Sequence, residues 1–206
     1  VYLNERNSAE ALAAVNKSIE LDPGYQKAFL VKGKVYASMN DVAGAINSFK
    51  EAIKLDPEYL DAWKNIGYVY YKTRQYDEAI PAYRKVIKLD PNYASAYANI
   101  GAIYIEQKKF SDAVTNLCKA VELNPRDVNS MYRLAQSYNN VGKCDKAKET
   151  AQRALRLKAN WAPVLIELGI AERCIGNRTQ AREAFQLATR DPKWRKVAEY
   201  ELKTVQ

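Results

Sequence analysis

Residues 60–93 read LDAWKNIGYVYYKTRQYDEAIPAYRKVIKLDPNY, and this stretch decides the fold. Apolar and small residues recur every three or four positions from Leu60 to Tyr70, which predicts one face of a helix. The same spacing returns from Ala79 to Ile87 and predicts a second helix. The stretch is therefore a helix, a turn and a helix, and each helix has one apolar stripe.

Residues that favour turns bound the two helices. The polar run around Arg74 interrupts the apolar pattern, and Asp77 is placed to cap the second helix with its side chain. Pro91 ends that helix, because proline has no N–H and disfavours the helical conformation in the residue before it. Pro81 is expected in the first turn of the second helix, where a missing N–H costs little.

The stretch belongs to a repeat with a period of 34 residues, visible as columns of proline, alanine and tyrosine. The repeated positions are Pro23, Pro57, Pro91 and Pro125; Ala11, Ala45, Ala79, Ala113, Ala147 and Ala181; and Tyr2, Tyr36, Tyr70, Tyr104 and Tyr138. One helix pair cannot bury both of its apolar stripes, but stacking the next pair on it does so. A shared period in independent columns therefore predicts a helical solenoid.

The repeated residues match the pattern of a known family. In residues 60–93 the pattern is carried by Trp63, Ile66, Gly67, Tyr70, Ala79, Tyr83, Val86 and Pro91, and residues 94–127 follow it again. The chain thus resembles the tetratricopeptide repeat (TPR) family over essentially its whole length. The resemblance implies an all-α, right-handed superhelical solenoid in which the first helix of each repeat lines a concave, protein-binding groove.

The period divides the chain into parts, and we predict a single solenoid over residues 1–206. Its parts are a partial repeat 1–25, the repeats 26–59, 60–93, 94–127, 128–161 and 162–192, and a capping helix in 193–206. Ala159 replaces the repeated proline, which predicts a longer second helix in its repeat. Glu172 replaces the repeated tyrosine, so the last repeat is degenerate.

Side chains that carry catalysis or bind metals are scarce. The chain has no histidine, which removes the commonest general base and the commonest metal ligand. Cys118, Cys144 and Cys174 follow no metal-ligand spacing, and we expect them to be partly buried free thiols in a reducing compartment. The sequence therefore predicts a non-catalytic protein with no cofactor and no bound metal.

Hydropathy and charge indicate where the protein acts. No apolar stretch approaches the length that spans a membrane, and the first residues lack the pattern of a secretory signal, so we expect a cytoplasmic protein. The net charge is +8, and residues 104–206 hold 19 basic against 12 acidic side chains. Such a basic half attracts acidic partners, anionic lipid surfaces or nucleic acid, and it would suit peripheral contact with an anionic membrane surface.

The family resemblance places a set of side chains in the concave groove. The residues that we predict to bind a peptide are Lys27, Lys34, Lys64, Tyr68, Tyr71, Lys72, Asn99, Tyr132, Arg133, Gln136 and Asn140. The lysines favour a ligand segment with acidic residues. The tyrosines offer rigid contact area, and the amides can both donate to and accept from a peptide backbone.

One subset of the family clamps the C-terminal carboxylate of heat-shock chaperones. Lys64, Asn99 and Arg133 fall in register with that clamp. Tyr68, however, stands where the clamp needs asparagine, and Asn129 stands where it needs lysine. The sequence therefore does not favour this ligand.

A protein-binding scaffold is the favoured function, and two alternatives stay open. The chain begins inside a repeat, which is also typical of a regulatory TPR arm of a larger enzyme. Residues 199–205, EYELKTV, are similar to the close of magnetosome-associated TPR proteins, which implies a scaffold that self-assembles on a bacterial organelle. Nucleic acid is disfavoured, because helical repeats that read RNA carry a repeated side-chain code that is absent here.

The N-terminal helix adds an expectation of self-association. Its apolar positions at helical spacing are Ala11, Leu12, Val15 and Ile19. Most of the first helix of this pair precedes Val1 in the repeat register, which leaves one side of the stripe open. We expect another molecule to cover that side, and hence a homo-oligomer.

Overall fold

The computed structural model describes the backbone of residues 5–205 and the side chains of residues 7–205, so Tyr2 of the tyrosine column lies outside the description. The described range is all α-helical and contains no strand, which confirms the predicted all-α class. The helices are α1 (Glu5–Leu21), α2 (Gln26–Ser38), α3 (Val42–Leu55), α4 (Leu60–Lys72), α5 (Tyr76–Leu89), α6 (Ala94–Glu106), α7 (Phe110–Leu123), α8 (Val128–Asn140), α9 (Cys144–Leu157), α10 (Ala162–Cys174), α11 (Arg178–Ala188) and α12 (Arg195–Lys203).

The chain divides into two compact units, residues 1–96 and residues 97–206. In the first unit consecutive helices within the range α1 to α5 pack on each other, and α2 also contacts α4. In the second unit consecutive helices within the range α7 to α12 pack on each other, and α8 also contacts α10. First helices of successive repeats therefore lie side by side within each unit, as expected for stacked helix pairs. The predicted repeat boundaries stay a prediction.

Small residues let the two helices of a pair approach closely. A Cβ atom added at Gly169 in α10 would lie 2.4 Å from the ring of Phe185 in α11, closer than side chains can approach. One repeat earlier the corresponding residues are Ala135 and Ala151, and both are fully buried. A larger residue on the first helix is thus matched by a smaller one on the second, as a close-packed interior requires.

Two residues after the end of each first helix of the full repeats stands a residue in the left-handed conformation. These residues recur 34 apart and have φ angles between 58° and 88°; they are Asn40, Arg74, Lys108, Gly142 and Gly176. The N–H of the next residue donates to a carbonyl five positions back, as from Gln75 to Tyr70 at 2.8 Å. This geometry is a Schellman cap, in which glycine is the least strained residue.

The column of left-handed residues generates a prediction about stability. Replacing Arg74 or Lys108 by glycine should stabilise the fold by about 1 kcal/mol each, because glycine carries no Cβ penalty in this conformation. Replacing Gly142 by alanine should destabilise it by about the same amount. Urea unfolding followed by circular dichroism measures both changes. A loss of stability in R74G and K108G, with G142A unchanged, would contradict the assignment of these caps.

The start of α5 differs from the prediction. Gln75, not Asp77, is the N-cap residue, and Asp77 lies in the first helical turn. Helix α5 begins at Tyr76 because the left-handed Arg74 has already turned the chain. Pro81 consequently lies in the second turn, so its placement in the first turn was also wrong. Because Pro81 has no N–H, the backbone carbonyl of Asp77 lacks its helical hydrogen-bond partner. Both residues are exposed, so water can donate a hydrogen bond to this carbonyl.

Helix α9 also differs from the prediction, since the loss of the repeated proline at Ala159 does not lengthen it. Helices α5 and α9 both have 14 residues. Asn160 adopts a left-handed φ of 57° after α9. Asparagine tolerates this conformation, so the chain turns here without proline.

Two of the three cysteines are paired, which makes the expectation of three free thiols wrong. Cys144 and Cys174 form a disulfide with their Cα atoms 6.1 Å apart. Cys144 is the first residue of α9 and Cys174 is the last residue of α10, and these helices pack on each other. Cys118 is free, and its sulfur lies 3.0 Å from the hydroxyl of Tyr138.

Helix α12 packs on α10 and α11. Ala198 and Val205 are buried in the same apolar cluster as Phe185. Arg173 of α10 pairs with Glu201 of α12 at 2.6 Å and also donates to Thr204. Apolar burial and one partly buried ion pair therefore hold the end of the chain on the second unit.

Candidate peptide-binding surfaces

In the first unit the candidate surface is formed by α2 and α4, which contact each other. Lys27 and Lys34 of α2 are exposed, and they lie seven residues apart on one face of the helix. Tyr68 and Lys72 of α4 are exposed four residues apart, and Tyr68 is 53% accessible. Because these side chains are not needed in the core, they are available to a ligand.

Lys64 and Tyr71 are only half-buried, and both already have partners. Lys64 donates to the carboxylate of Asp61, and its nitrogen lies 5.9 Å from the centre of the Tyr93 ring. The ring of Tyr71 lies 6.4 Å from that of Tyr76. These two predicted site residues therefore contribute to the structure of the unit itself.

Some charged side chains of this surface are already paired with each other, and others are free to interact with a ligand. The hydrogen bond with Lys64 lowers the pKa of Asp61, and nearby Lys34 lowers it further through its charge. The same hydrogen bond raises the pKa of Lys64. Within residues 7–205, Lys27, Lys34 and Lys72 form no ion pair. The positive charge that remains for a ligand lies on these three lysines.

In the second unit the candidate surface is formed mainly by α8. Tyr132, Arg133 and Gln136 are half-buried, and Asn140 is exposed. The ring of Tyr132 lies 5.6 Å from that of Trp161, and burial raises the pKa of the Tyr132 hydroxyl. Tyr132 is thus held rigidly while part of it stays accessible.

The remaining polar groups of this surface differ in how they are held. The side chain of Asn140 donates to the backbone carbonyl of Gln136 at 2.9 Å, a bond within the same helix turn. The ammonium group of Lys158 lies 4.2 Å from the centre of the Trp161 ring, so a cation borders the aromatic pair. Asn99 on α6 is half-buried.

Sequence reasoning missed a buried carboxylate beside this surface, Glu167 of α10. The side chain of Asn139 in α8 donates to its Oε2 at 2.8 Å and to its backbone carbonyl at 2.9 Å. Burial, and to a smaller extent the charge of Glu201, raises the pKa of Glu167 to about 7, although the hydrogen bond from Asn139 opposes the shift. Its position, 34 residues after Arg133 in the candidate column, is the signal that could have identified it.

A second buried carboxylate, Glu172, explains the departure from the tyrosine column. It is 4% exposed and pairs with Lys148 of α9 at 3.1 Å. The side chain of Asn177 also donates to it at 2.7 Å. The repeat tolerates an acid at this position because the neighbouring helix supplies a cation and the following turn supplies a donor.

The raised pKa of Glu167 generates a prediction about pH. The folded state retains a proton that the unfolded state loses above its usual pKa of 4.5, so this residue makes stability fall as pH rises from about 4.5 to about 7. Replacing Glu167 by glutamine removes the ionisation but keeps an acceptor for Asn139. E167Q should therefore gain up to about 3 kcal/mol over the parent protein at pH 8 and little at pH 4.

Thermal unfolding over a pH series measures this difference. Glu106 is an exposed carboxylate of the same unit, so E106Q is the matched control and should follow the parent protein at every pH. If E167Q and the parent protein lose stability in parallel between pH 5 and pH 8, Glu167 does not titrate in this range.

Residues 5–205 contain no cluster of three or more cysteine, aspartate or glutamate side chains placed to hold a metal ion. None of the helices in the described part of the chain combines the length and the apolar character needed to cross a bilayer.

Solved TPR structures share this fold. YrrB, described as a TPR protein with an unusual peptide-binding site, is 21% identical with a TM-score of 0.84, over 94% of this chain and 100% of YrrB. MamA is 26% identical with a TM-score of 0.75, over 86% of this chain and 96% of MamA. MamA from Desulfovibrio magneticus RS-1 is 21% identical with a TM-score of 0.73, over 88% and 96% of the two chains.

These neighbours confirm the predicted TPR fold and agree with the resemblance that the C-terminal residues showed to the MamA group. They support a role as a protein-interaction scaffold. No curated protein sequence matches the chain. The family model of the cilia and flagella-associated protein 70 C-terminal domain matches residues 1–202, so the chain is a member of this TPR family.

Proposed function

We propose that the protein is a non-catalytic scaffold that binds polypeptide segments on the surfaces of its first helices. The observation that carries this proposal is the α2–α4 surface, where Lys34, Tyr68 and Lys72 stay exposed on two helices in contact. Tyrosine is among the residue types that most often dominate the binding energy of interfaces. The peptide-binding site named for YrrB supports the same use of the fold.

The preferred ligand on this surface is an acidic segment. Lys27, Lys34 and Lys72 are exposed and form no ion pair within the described residues, whereas Asp61 of α4 is already bonded to Lys64. The uncompensated charge is therefore positive. Charge of this kind accelerates association with an oppositely charged partner and weakens as salt rises.

This proposal predicts a charge-specific effect on the association rate. The double variant K34E/K72E should bind a labelled glutamate-rich peptide at least about tenfold more slowly at low salt, and with a smaller salt dependence. Stopped-flow fluorescence measures the rate. A peptide in which glutamine replaces every glutamate should bind both proteins equally weakly.

The matched control reverses two exposed lysines on second helices of the same unit, Lys50 of α3 and Lys88 of α5. K50E/K88E changes the net charge by the same amount but leaves the α2–α4 surface intact. An equal loss in K50E/K88E would mean that net charge alone steers the peptide, and that this surface is not the site.

Two settings for such a scaffold come from the relatives. The family is named for a cilia and flagella-associated protein, so assembly within a motile or ciliary structure is one setting. The likeness to MamA keeps the alternative of a magnetosome-associated scaffold at a membrane surface. A regulatory arm of a larger enzyme is the remaining alternative. Isolation of the longest natural chain that contains this sequence distinguishes that arm from a free scaffold.

A cytoplasmic location, with peripheral contact on a membrane-bound assembly, stays part of the proposal. The basic excess in residues 104–206 supports contact with an anionic surface. The disulfide between Cys144 and Cys174 is an observation against the cytoplasmic part of this proposal, because such bonds persist mainly where conditions are oxidising.

Self-association through α1 is a second candidate function. Leu12 and Ile19 are only half-buried, and Leu21 is 76% exposed. Helix α1 therefore keeps apolar surface that its contact with α2 does not cover. A second molecule that covered this surface would remove apolar area from water, which favours association.

Sedimentation velocity across a wide concentration series tests this candidate. We expect reversible association in the parent protein and weaker association in L21E, because a charge at the exposed Leu21 would oppose burial. N16E, an exposed change on the same helix, is the control and should associate like the parent protein. Monomer behaviour of the parent protein at every concentration would show that α1 does not mediate self-association.

A further inference from the structure

A pocket of about 230 Å³ opens in the first unit, where the end of α2 and the start of α3 meet α4. Ala45 and Val69 are the buried residues among its walls. Val42 and Tyr68 are exposed wall residues, and Lys72 also lines it. A cavity of about 150 Å³ with apolar walls is enough to hold benzene, so this pocket has room for a leucine or phenylalanine side chain.

The pocket exists because this repeat departs from the next one. Thirty-four residues after Ala37 and Val42, which both line the pocket, stand Tyr71 and Tyr76. Those two tyrosines stand at the equivalent sequence positions, and their rings lie 6.4 Å apart. The small side chains of Ala37 and Val42 leave the pocket open.

We propose that this pocket binds one large apolar side chain of a peptide that carries acidic residues next to it. The inference rests on the proposed peptide-binding function and specifies its ligand. Lys72 lines the pocket, and Lys34 lies one helical turn before Ala37 on α2. An apolar side chain seated in the pocket therefore places the flanking residues of its chain between two cations that form no ion pair within the described residues.

The surroundings of the pocket support an apolar occupant. Met39, Val42 and Tyr68 are among the exposed large hydrophobic residues of the first unit, and Val42 and Tyr68 line the pocket. Burying a leucine or phenylalanine side chain against such walls is worth enough free energy to change affinity about ten- to a hundredfold. We call the apolar peptide residue seated in the pocket the anchor. The charges then select peptides in which aspartate or glutamate lies within about two residues of the anchor, since extended residues are about 3.5 Å apart.

The next repeat supplies the variant that tests the pocket. A37Y/V42Y installs the tyrosine pair of repeat 60–93 in repeat 26–59, so the pocket is filled by residues that the fold already accepts at the equivalent positions. A43Y is the control, because Ala43 is an exposed neighbour on α3 that does not line the pocket. Circular dichroism and thermal unfolding establish that each variant is folded.

The probe is a phage-displayed library of random dodecapeptides, selected in parallel on the parent protein and on A37Y/V42Y. We expect the parent protein to enrich peptides with leucine, methionine or phenylalanine within two residues of aspartate or glutamate. Synthetic forms of these peptides should bind A37Y/V42Y about ten- to a hundredfold more weakly than the parent protein or A43Y. Replacing the anchor by alanine should cause the same loss on the parent protein and no further loss on A37Y/V42Y.

The outcomes separate this inference from the proposed function. Selected peptides that lack an apolar anchor, or that bind the parent protein and A37Y/V42Y equally, overturn the pocket proposal. If those peptides lose affinity in K34E/K72E, the proposed function stands without the pocket. If the parent protein selects no peptide, both proposals are wrong. Should A37Y/V42Y fail to fold, the single variants A37Y and V42Y, each of which fills part of the pocket, replace it in the same comparison with A43Y.

Discussion

A helix pair of this repeat has more apolar surface than its two helices can cover together, so each pair needs a neighbour. This need places α2 against α4 in the first unit and α8 against α10 in the second. It also sorts the side chains, because residues on the contacting faces must be small or shaped to fit, while the opposite face of the first helices is free to vary. Of the candidate binding residues, Lys27, Lys34, Tyr68 and Lys72 are exposed on the first helices of their unit.

The fold was predictable because its determinants repeat. The period of 34 residues predicted the helix pairs. The local details that were predicted wrongly depend on conformation rather than on the pattern: Asp77 looks like a cap, but the left-handed Arg74 starts α5 at Tyr76. The disulfide was missed for a different reason. Cys144 and Cys174 each occur once, at the start of one helix and the end of the next, and no column marks them.

The candidate site was predictable only in part. The period assigns Lys34, Tyr68 and Lys72 to the first helices, and these residues are exposed. It does not show that Lys64 is bonded to Asp61, because such a bond depends on side-chain geometry within one helix. Nor does it show that Glu167 is buried against Asn139, which lies in the preceding repeat. Position in a repeat predicts the face of a residue, whereas its partners depend on the particular neighbours.

Departures from the repeat are therefore where specific function is to be sought. Residues that match the repeat pattern maintain the packing of one helix pair on the next. A residue that departs from the pattern is either compensated by a contacting side chain or leaves a space unfilled. Glu172 breaks the tyrosine column, and Lys148 compensates for it with an ion pair, so this departure is structural. Ala37 and Val42 break the aromatic pair seen one repeat later, and no larger side chain among the described residues fills the pocket that they line. An uncompensated departure on an exposed, basic surface is a feature that folding does not require, and binding gives it a physical reason.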